Sequence, residues 1–329
     1  MLNTGGSDKN SKTNAQASGP LITVAICTRN RAAFLEKAVR SVLPQMTGDA
    51  ELLIIDNAST DETPAVAAQL AAANAGVKVL RQEELGLSAA RNAALKKARG
   101  QFVIFLDDDA TAEPDWLAVY QRFLSAPPSE KIAVVGGPAP NEYEVPPPTW
   151  FKNSAALSRG DSPKCLPYRG DLIGCNIGYR REAALAAGMF DTQLGRKGNK
   201  MMSREESDLN LRLQDAGYEI WWLPGAVVRH YVSALRMKFH EVMRGRFAEG
   251  RSIAIQRLKA RRGGWDRESY RVARIVGAPF HALVHLLAAL IALPRNYPKA
   301  AEHLLQACRN CGLAWQLLVE ATAAGIGGN

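Results

Sequence analysis

Three carboxylates in a row, Asp107, Asp108 and Asp109, follow the apolar run Phe102 to Leu106. Phe-Val-Ile-Phe-Leu is rich in β-formers and fits a strand buried on both faces, so the acids stand where that strand must end. Adjacent like charges repel and unpaired carboxylates are costly to desolvate, so the cluster either faces open water or holds a cation. Hard divalent cations such as Mg2+ or Mn2+ take oxygen ligands, and in open α/β sheets ligands gather at the carboxyl ends of the strands. A second acidic group, Glu205-Glu206 with Asp208, opens a helical pattern that runs to Gly217. It supplies either charge complementarity at a helix start or a carboxylate placed for proton transfer.

These residues need elements to hold them. Leu21 to Cys27 is a β-rich run that ends at Thr28-Arg29-Asn30-Arg31. Phe34, Leu35, Ala38, Val39, Val42 and Leu43 then mark an amphipathic helix that Asn30 can cap. Leu52 to Ile55 is the next strand, ending in Asp56-Asn57, and Ser59 with Glu62 forms a capping box for a helix to about Ala75. A strand at Val77 to Leu80, a helix at Leu87 to Arg99 and the strand at Phe102 complete a β-α-β-α-β-α-β order. Such alternation predicts an α/β fold with a parallel sheet and helices on both faces. It also puts Thr28 to Arg31, Asp56-Asn57 and Asp107 to Asp109 on one rim.

From about Ile132 to Tyr168 the chain turns irregular and proline-rich, which reads as loops that shape a pocket. Gly174-Cys175-Asn176 opens a strand through Arg180, Glu182 to Ala187 is a short helix, and the strands Glu219 to Leu223 and Ala226 to Arg229 lead to His230. No Gly-x-Gly-x-x-Gly follows the first strand and no Walker A sequence occurs, which disfavours NAD and P-loop nucleotide binding. Trp221 and Trp222 either stack on a sugar or fill the core; alternation turns them to opposite faces.

The chain has 329 residues, 47% of them hydrophobic and 22% charged, a globular composition with room for one large domain plus an appendage. The first twenty residues, rich in Ser, Asn, Gly and Lys, read as a disordered tail with no signal-peptide core. Five scattered cysteines form no disulfide framework and favour a reducing, cytoplasmic setting; the Cys308-x-x-Cys311 spacing has no second pair to complete a zinc site.

Taken in order, several motifs resemble family 2 glycosyltransferases of the GT-A fold. They are Thr28-Arg29-Asn30, Asp56-Asn57-Ala58-Ser59-Thr60-Asp61, Gly86 with Ala90-Arg91-Asn92, Leu106 to Asp109, Glu205-Glu206-x-Asp208-Leu209 and Pro224-x-Ala226-x-Val228-x-His230. The resemblance covers about Leu21 to His230 and implies a nucleotide-binding, parallel or mixed sheet flanked by helices. It implies inverting transfer of a sugar from a nucleotide-diphosphate sugar to a saccharide or lipid-linked acceptor, as in bacterial cell-surface or exopolysaccharide synthesis. By similarity Thr28, Arg29, Asn30, Asp56 and Arg91 lie at the nucleotide. Asp107 and Asp109 match the Asp-x-Asp pair that faces ribose and a divalent metal, with Asp108 a spacer on the nucleotide side and His230 closing the metal site. Glu206 matches the catalytic base and Glu205 a positioning or acceptor-binding group, with Asn176 and Trp222 on the acceptor side. Two departures stand out: Glu replaces the commoner Asp at position 206, and Asn57 replaces a second Asp. Asp208 is expected to serve the helix N-terminus. The alternatives are a metal-dependent nucleotidylyltransferase, and a non-catalytic protein that binds nucleotide sugars.

After position 233 the resemblance thins, and residues 234–329 read as a helical region that associates with membrane. Arg236 to Lys259 is helical, Arg261 to Gly264 is a break before Trp265, and Ile275 to Leu293 is almost wholly apolar. The net charge is +9, and between Arg236 and Arg274 twelve Lys or Arg face four Asp or Glu, a balance of +8. The run could span a bilayer, pack in a core, or lie in the interface with the basic segment on anionic headgroups. The last explains both charge and apolarity and suits the inner face of the cell membrane. No nucleic-acid-binding motif accompanies the basic segment.

Overall fold

The computed structural model describes residues 19–152, 159–259 and 267–326. The expected tail up to residue 18, the break at Arg261 to Gly264 and Trp265 lie outside them. Eight strands form one sheet: β1 Ile22–Thr28, β2 Ala50–Asp56, β3 Val77–Arg81, β4 Phe102–Leu106, β6 Ile132–Gly136, β8 Lys164–Cys165, β9 Asn176–Arg180 and β10 Glu219–Trp222. The strands β5 Ala110–Ala112, β7 Asn141–Tyr143 and β11 Val228–Val232 form a second, small sheet in the order β5-β11-β7.

The large sheet runs β3-β2-β1-β4-β9-β6-β10-β8. Its first four strands are parallel, and β9 lies antiparallel between β4 and β6, so the sheet is mixed. Near-continuous β-branched and aromatic runs make these strands buried on both faces. Ile22, Val24, Ile26, Leu52, Ile54 and Ile104 point into one core with α1 (Ala32–Val42) and α2 (Thr63–Ala73). Ala25, Leu53, Ile55, Val103 and Phe105 point into the other, with α3 (Leu87–Lys97), α5 (Arg181–Ala186) and α6 (Glu205–Asp215). The register pairs Thr28 with Asp56, so those strand ends share one rim, as their positions require.

Several local readings are corrected. Neither Asn30 nor Ser59 caps a helix: α1 and α2 start without a side-chain cap. Instead Asn30, left-handed at φ 53°, accepts from Thr60 N and donates its own N–H to Ser59 Oγ, tying the two rim loops together. The proline-rich middle is not all loop, because Ile-Ala-Val-Val at 132 builds the fully buried β6 before Pro138 and Pro140. The short β5, directly after Asp109, gives too little period to announce itself, whereas α4 (Trp116–Ser125) buries Trp116, Leu117, Tyr120 and Leu124 at helical spacing and is an addition to the expected order. His230 lies inside β11, opposite Ala110 of β5, and that pairing carries it to the acid cluster.

Beyond the sheets, α7 (Phe239–Lys259), α8 (Arg267–Ala292) and α9 (Tyr297–Ile326) form the helical C-terminal region. Gly250 of α7 touches the α9 backbone at Arg309 O, an approach that a Cβ would block. Within α8, Val272–Ala292 is long and apolar enough to cross a membrane by length and composition. Much of it is bare: Val276 and Ile291 are each 70% exposed, and Phe280, Leu283, Leu287 and Leu290 are exposed beside them.

Candidate active site

The rim of β1, β2 and β4 opens into a cavity of about 310 Å³ lined by Thr28, Arg29, Asn30, Arg31, Asn57, all three acids of the cluster, Arg196 and Arg236. The acids play three different parts. Asp107 is the most open, 31% exposed at its side chain, with Oδ1 accepting from Arg91 Nη2 at 3.2 Å. Asp108 is buried and braced: its carboxylate accepts from Thr28 Oγ1 at 2.8 Å and from Arg31 Nη1 at 3.0 Å. Burial pushes Asp108 up to about 6 against the pull of Arg31. It is therefore a structural brace of the β1 and β4 ends rather than a spacer, and it occupies the Thr28 hydroxyl.

Asp109 is also buried, yet its surroundings favour the charged form. Arg31 Nη1 lies 2.8 Å and Arg236 Nη1 3.1 Å from Oδ2, and His230 Nε2 lies 3.4 Å from Oδ1. Burial raises its affinity for a proton, but the His230 hydrogen bond and the Arg236 and Arg31 charges outweigh that and hold it below the usual carboxylate range. Among the described residues no three metal-ligating side chains converge on one point. The expected trio is thus split: Asp109 and His230 meet, while Asp107 turns toward Arg91. Arg31 belongs to the Thr28 to Arg31 segment expected on this rim; Arg236 was not expected here, reaches Asp109 over 127 positions, and nothing local marks it.

Arg91 is the centre of the site rather than a nucleotide contact. It is 1% exposed, and its guanidinium lies over Phe105 and Phe190, 5.6 Å from each ring centroid. Nη1 donates to Glu206 Oε1 at 2.7 Å and Glu205 Oε1 at 3.2 Å; Nη2 donates to Asp107 and to Gly174 O. A buried charge needs such pairing. Despite burial, the charges of Glu206 and Asp107 keep its pKa raised, so it stays a cation. Gly174 lets the Glu206 carboxylate come in close; a Cβ there would displace Glu206 Oε1.

The two glutamates differ. Glu205 is 3% exposed, and its Oε2 is a buried oxygen without a hydrogen-bond partner. Burial first, then repulsion by Glu206, push it up to about 8 against the pull of Arg91, so at neutral pH it holds a proton. Glu206 is more open, with 16% of its side chain exposed. Asp208 stands in the first turn of α6 and pairs with Arg212, 2.8 Å away.

Asp56 is buried; Oδ1 accepts from Ser59 N and Oδ2 pairs with Arg81 Nη1 at 2.7 Å. Asn57 explains its own departure from Asp. Its amide donates to Gln82 O and Glu84 O and accepts from Gly86 N, and a carboxylate cannot make the two donations. Arg29 borders the cavity with its Nε buried and unpartnered. Asn176 and Trp222 are corrected: neither faces an acceptor. Asn176 is fully buried, accepting from Trp116 Nε1 and Tyr120 OH and donating to Pro138 O and Ala226 O. Trp222 is a core residue whose Nε1 donates to Gly160 O.

The architecture has clear relatives among solved structures. A mannosyltransferase, PcManGT from Pyrobaculum calidifontis, solved in complex with GDP-Man and Mn2+, superposes with a TM-score of 0.61 at 18% identity. The match covers 92% of this chain and 88% of that one, and it defines the fold as GT-A. The family model for glycosyl transferase family 2 matches residues 23–186. The glucosyl-dolichyl phosphate glucuronosyltransferase of Haloferax volcanii is 26% identical over 76% of this chain and 81% of its own length. Succinoglycan biosynthesis protein ExoM of Rhizobium meliloti is 28% identical over 77% and 79%. The chain belongs to glycosyltransferase family 2 and is a glycosyltransferase. Nucleotidylyl transfer and a purely binding role are not favoured.

Proposed function

We propose that the enzyme transfers a sugar, with inversion, from a nucleotide-diphosphate sugar to a hydroxyl of a saccharide or lipid-linked acceptor. The observation that carries this reading is Arg91, one buried cation that joins Asp107 on the rim to Glu206 at the start of α6. Thr28, Arg29, Asn30 and Asp56 form the nucleotide end, where the unpartnered Nε of Arg29 is a free donor. Glu206 takes the acceptor proton as the acceptor oxygen bonds to the anomeric carbon; the bond to the diphosphate breaks and its electrons leave with that group. Glu205, buried beside it on the same guanidinium, positions Glu206, while its second oxygen is buried against Gly195.

The donor set suits Mg2+ or Mn2+. Such ions are commonly held by one or two carboxylates together with substrate phosphates, so a preformed three-residue cluster is not required. Asp109 and His230 would hold the ion, with Asp107 adjacent. When bound it would stabilise negative charge on the departing diphosphate as a Lewis acid. Arg31 and Arg236, paired with Asp109, neutralise the acid cluster and are free to turn to phosphate oxygens. In a thermal-shift screen of nucleotide sugars with and without Mn2+, one donor should raise the melting temperature of wild type in a Mn2+-dependent way. Asp109→Ala should lose that dependence; an unchanged Mn2+ effect in Asp109→Ala would refute the metal assignment.

The exposed apolar face of α8, next to a segment with a balance of +8, supports docking of the C-terminal region on an anionic membrane, at the cytoplasmic face of the cell membrane. This suits a lipid-linked acceptor. The full-length enzyme should sediment with vesicles containing anionic lipid and less with neutral ones; equal recovery in the supernatant of both would count against it.

A further inference from the structure

The segment that launches the glutamate pair does not support itself. Arg204, immediately before Glu205, sits in the left-handed region at φ 72°, and α6 begins without a side-chain cap. A non-glycine residue there is strained and persists only where neighbours hold it. The neighbours come from α7, almost fifty residues on. Ser203 N donates to Ser252 Oγ at 3.0 Å, and Arg204 Nε donates to Gln256 Oε1 at 2.9 Å.

Ser252 and Gln256 are buried, at 0% and 7% exposure, on α7 beside the apolar Ala248 and Ile255. Buried polar groups in an apolar face are costly unless paired, and their partners are the Ser203–Arg204 turn and, for the Ser252 hydroxyl, Ala248 O and Met202 Sδ. Met202 itself packs against Ala248 and Ile255, so the segment is clamped by apolar as well as polar contacts.

We infer that α7 positions the catalytic base: Ser252 and Gln256 hold the left-handed turn at Arg204 and so fix the direction in which Glu206 leaves α6. Both are positioning residues. The role rests on Glu206 being the base. It makes the C-terminal region part of the active site: a chain cut after the sheets, near residue 233, keeps Thr28, Asp56 and Asp107 to Asp109 but loses Arg236 from the donor rim and, with Ser252 and Gln256, the alignment of the base.

The test uses the full chain and the best responder among UDP-glucose, UDP-N-acetylglucosamine, UDP-glucuronate and GDP-mannose in the thermal-shift screen. Gln256→Ala should lower kcat between about 10- and 100-fold, the scale of a misplacement near 1 Å, while donor KM stays within about twofold. Ser252→Ala, a smaller change, should move kcat in the same direction. Glycine adopts the left-handed conformation without support, so adding Arg204→Gly to Gln256→Ala should restore most of the lost kcat. Because glycine also relieves backbone strain, unfolding midpoints are measured alongside. A loss of kcat at unchanged donor KM, in variants that remain folded at the assay temperature, separates positioning from fold stability. Wild-type kcat in both Gln256→Ala and Ser252→Ala, or no recovery in the double variant, overturns the positioning role. Glu206→Gln assayed beside them separates the two failures: if it still transfers, the base assignment falls; if it is inactive while Gln256→Ala is fully active, only the role of α7 falls.

Discussion

The donor rim and the base are built by opposite strategies. At the rim, adjacent parallel strands β1, β2 and β4 end together, so Thr28, Asp56 and Asp107 to Asp109 are placed by ladder register. Glu206 sits instead on the first turn of one helix, behind a left-handed residue, and is held by Arg91 and by α7. The difference teaches where robustness resides. Register is enforced by many backbone hydrogen bonds and buried apolar faces, whereas the base depends on a few side-chain contacts between distant parts of the chain. Arg91 is where the halves meet.

The largest effect should therefore come from Arg91. Arg91→Met leaves Asp107 and Glu206 without their shared cation and removes a donor from Glu205, and should cost about 3–5 kcal/mol, the usual range for breaking a buried ion pair. Urea unfolding measures it, and a loss below about 1 kcal/mol would show that the halves do not depend on a common charge.

A smaller effect isolates the base half. The folded-state pKa of Glu205 is about 8 against an ordinary 4.5, so the folded protein binds a proton that the unfolded chain releases. Stability must then fall as pH rises through that window and level off above it, by on the order of 1 kcal/mol per pH unit. Glu205→Gln keeps the shape without the charge and should flatten this slope while leaving donor affinity intact. Parallel wild-type and variant profiles between pH 5 and 9 would contradict the buried, protonated state.

How much could be read beforehand follows the same division. Apolar β-rich runs that stop at Thr28, Asp56 and Asp107 announce strand ends, and strand ends of a parallel sheet share a rim, so the donor half was legible. The base half was legible only as residue types. Nothing local says that Arg91 bonds Glu206 across 115 positions, or that Ser252 and Gln256 brace Arg204. Asn57 shows the same limit on the rim: its reason is a bridge to Gln82, Glu84 and Gly86 that only the folded loop defines. Polarity misled at Asn176 and Trp222, because their polar atoms are satisfied inside the core instead of facing a ligand.

The most direct measurement compares Glu206→Gln with wild type for donor affinity and for turnover on the same preparation. General-base removal should lower kcat by about 10²- to 10⁴-fold, with the donor dissociation constant unchanged within about twofold. Near-wild-type turnover, or donor affinity that collapses together with turnover, would contradict a base that stands apart from the donor rim.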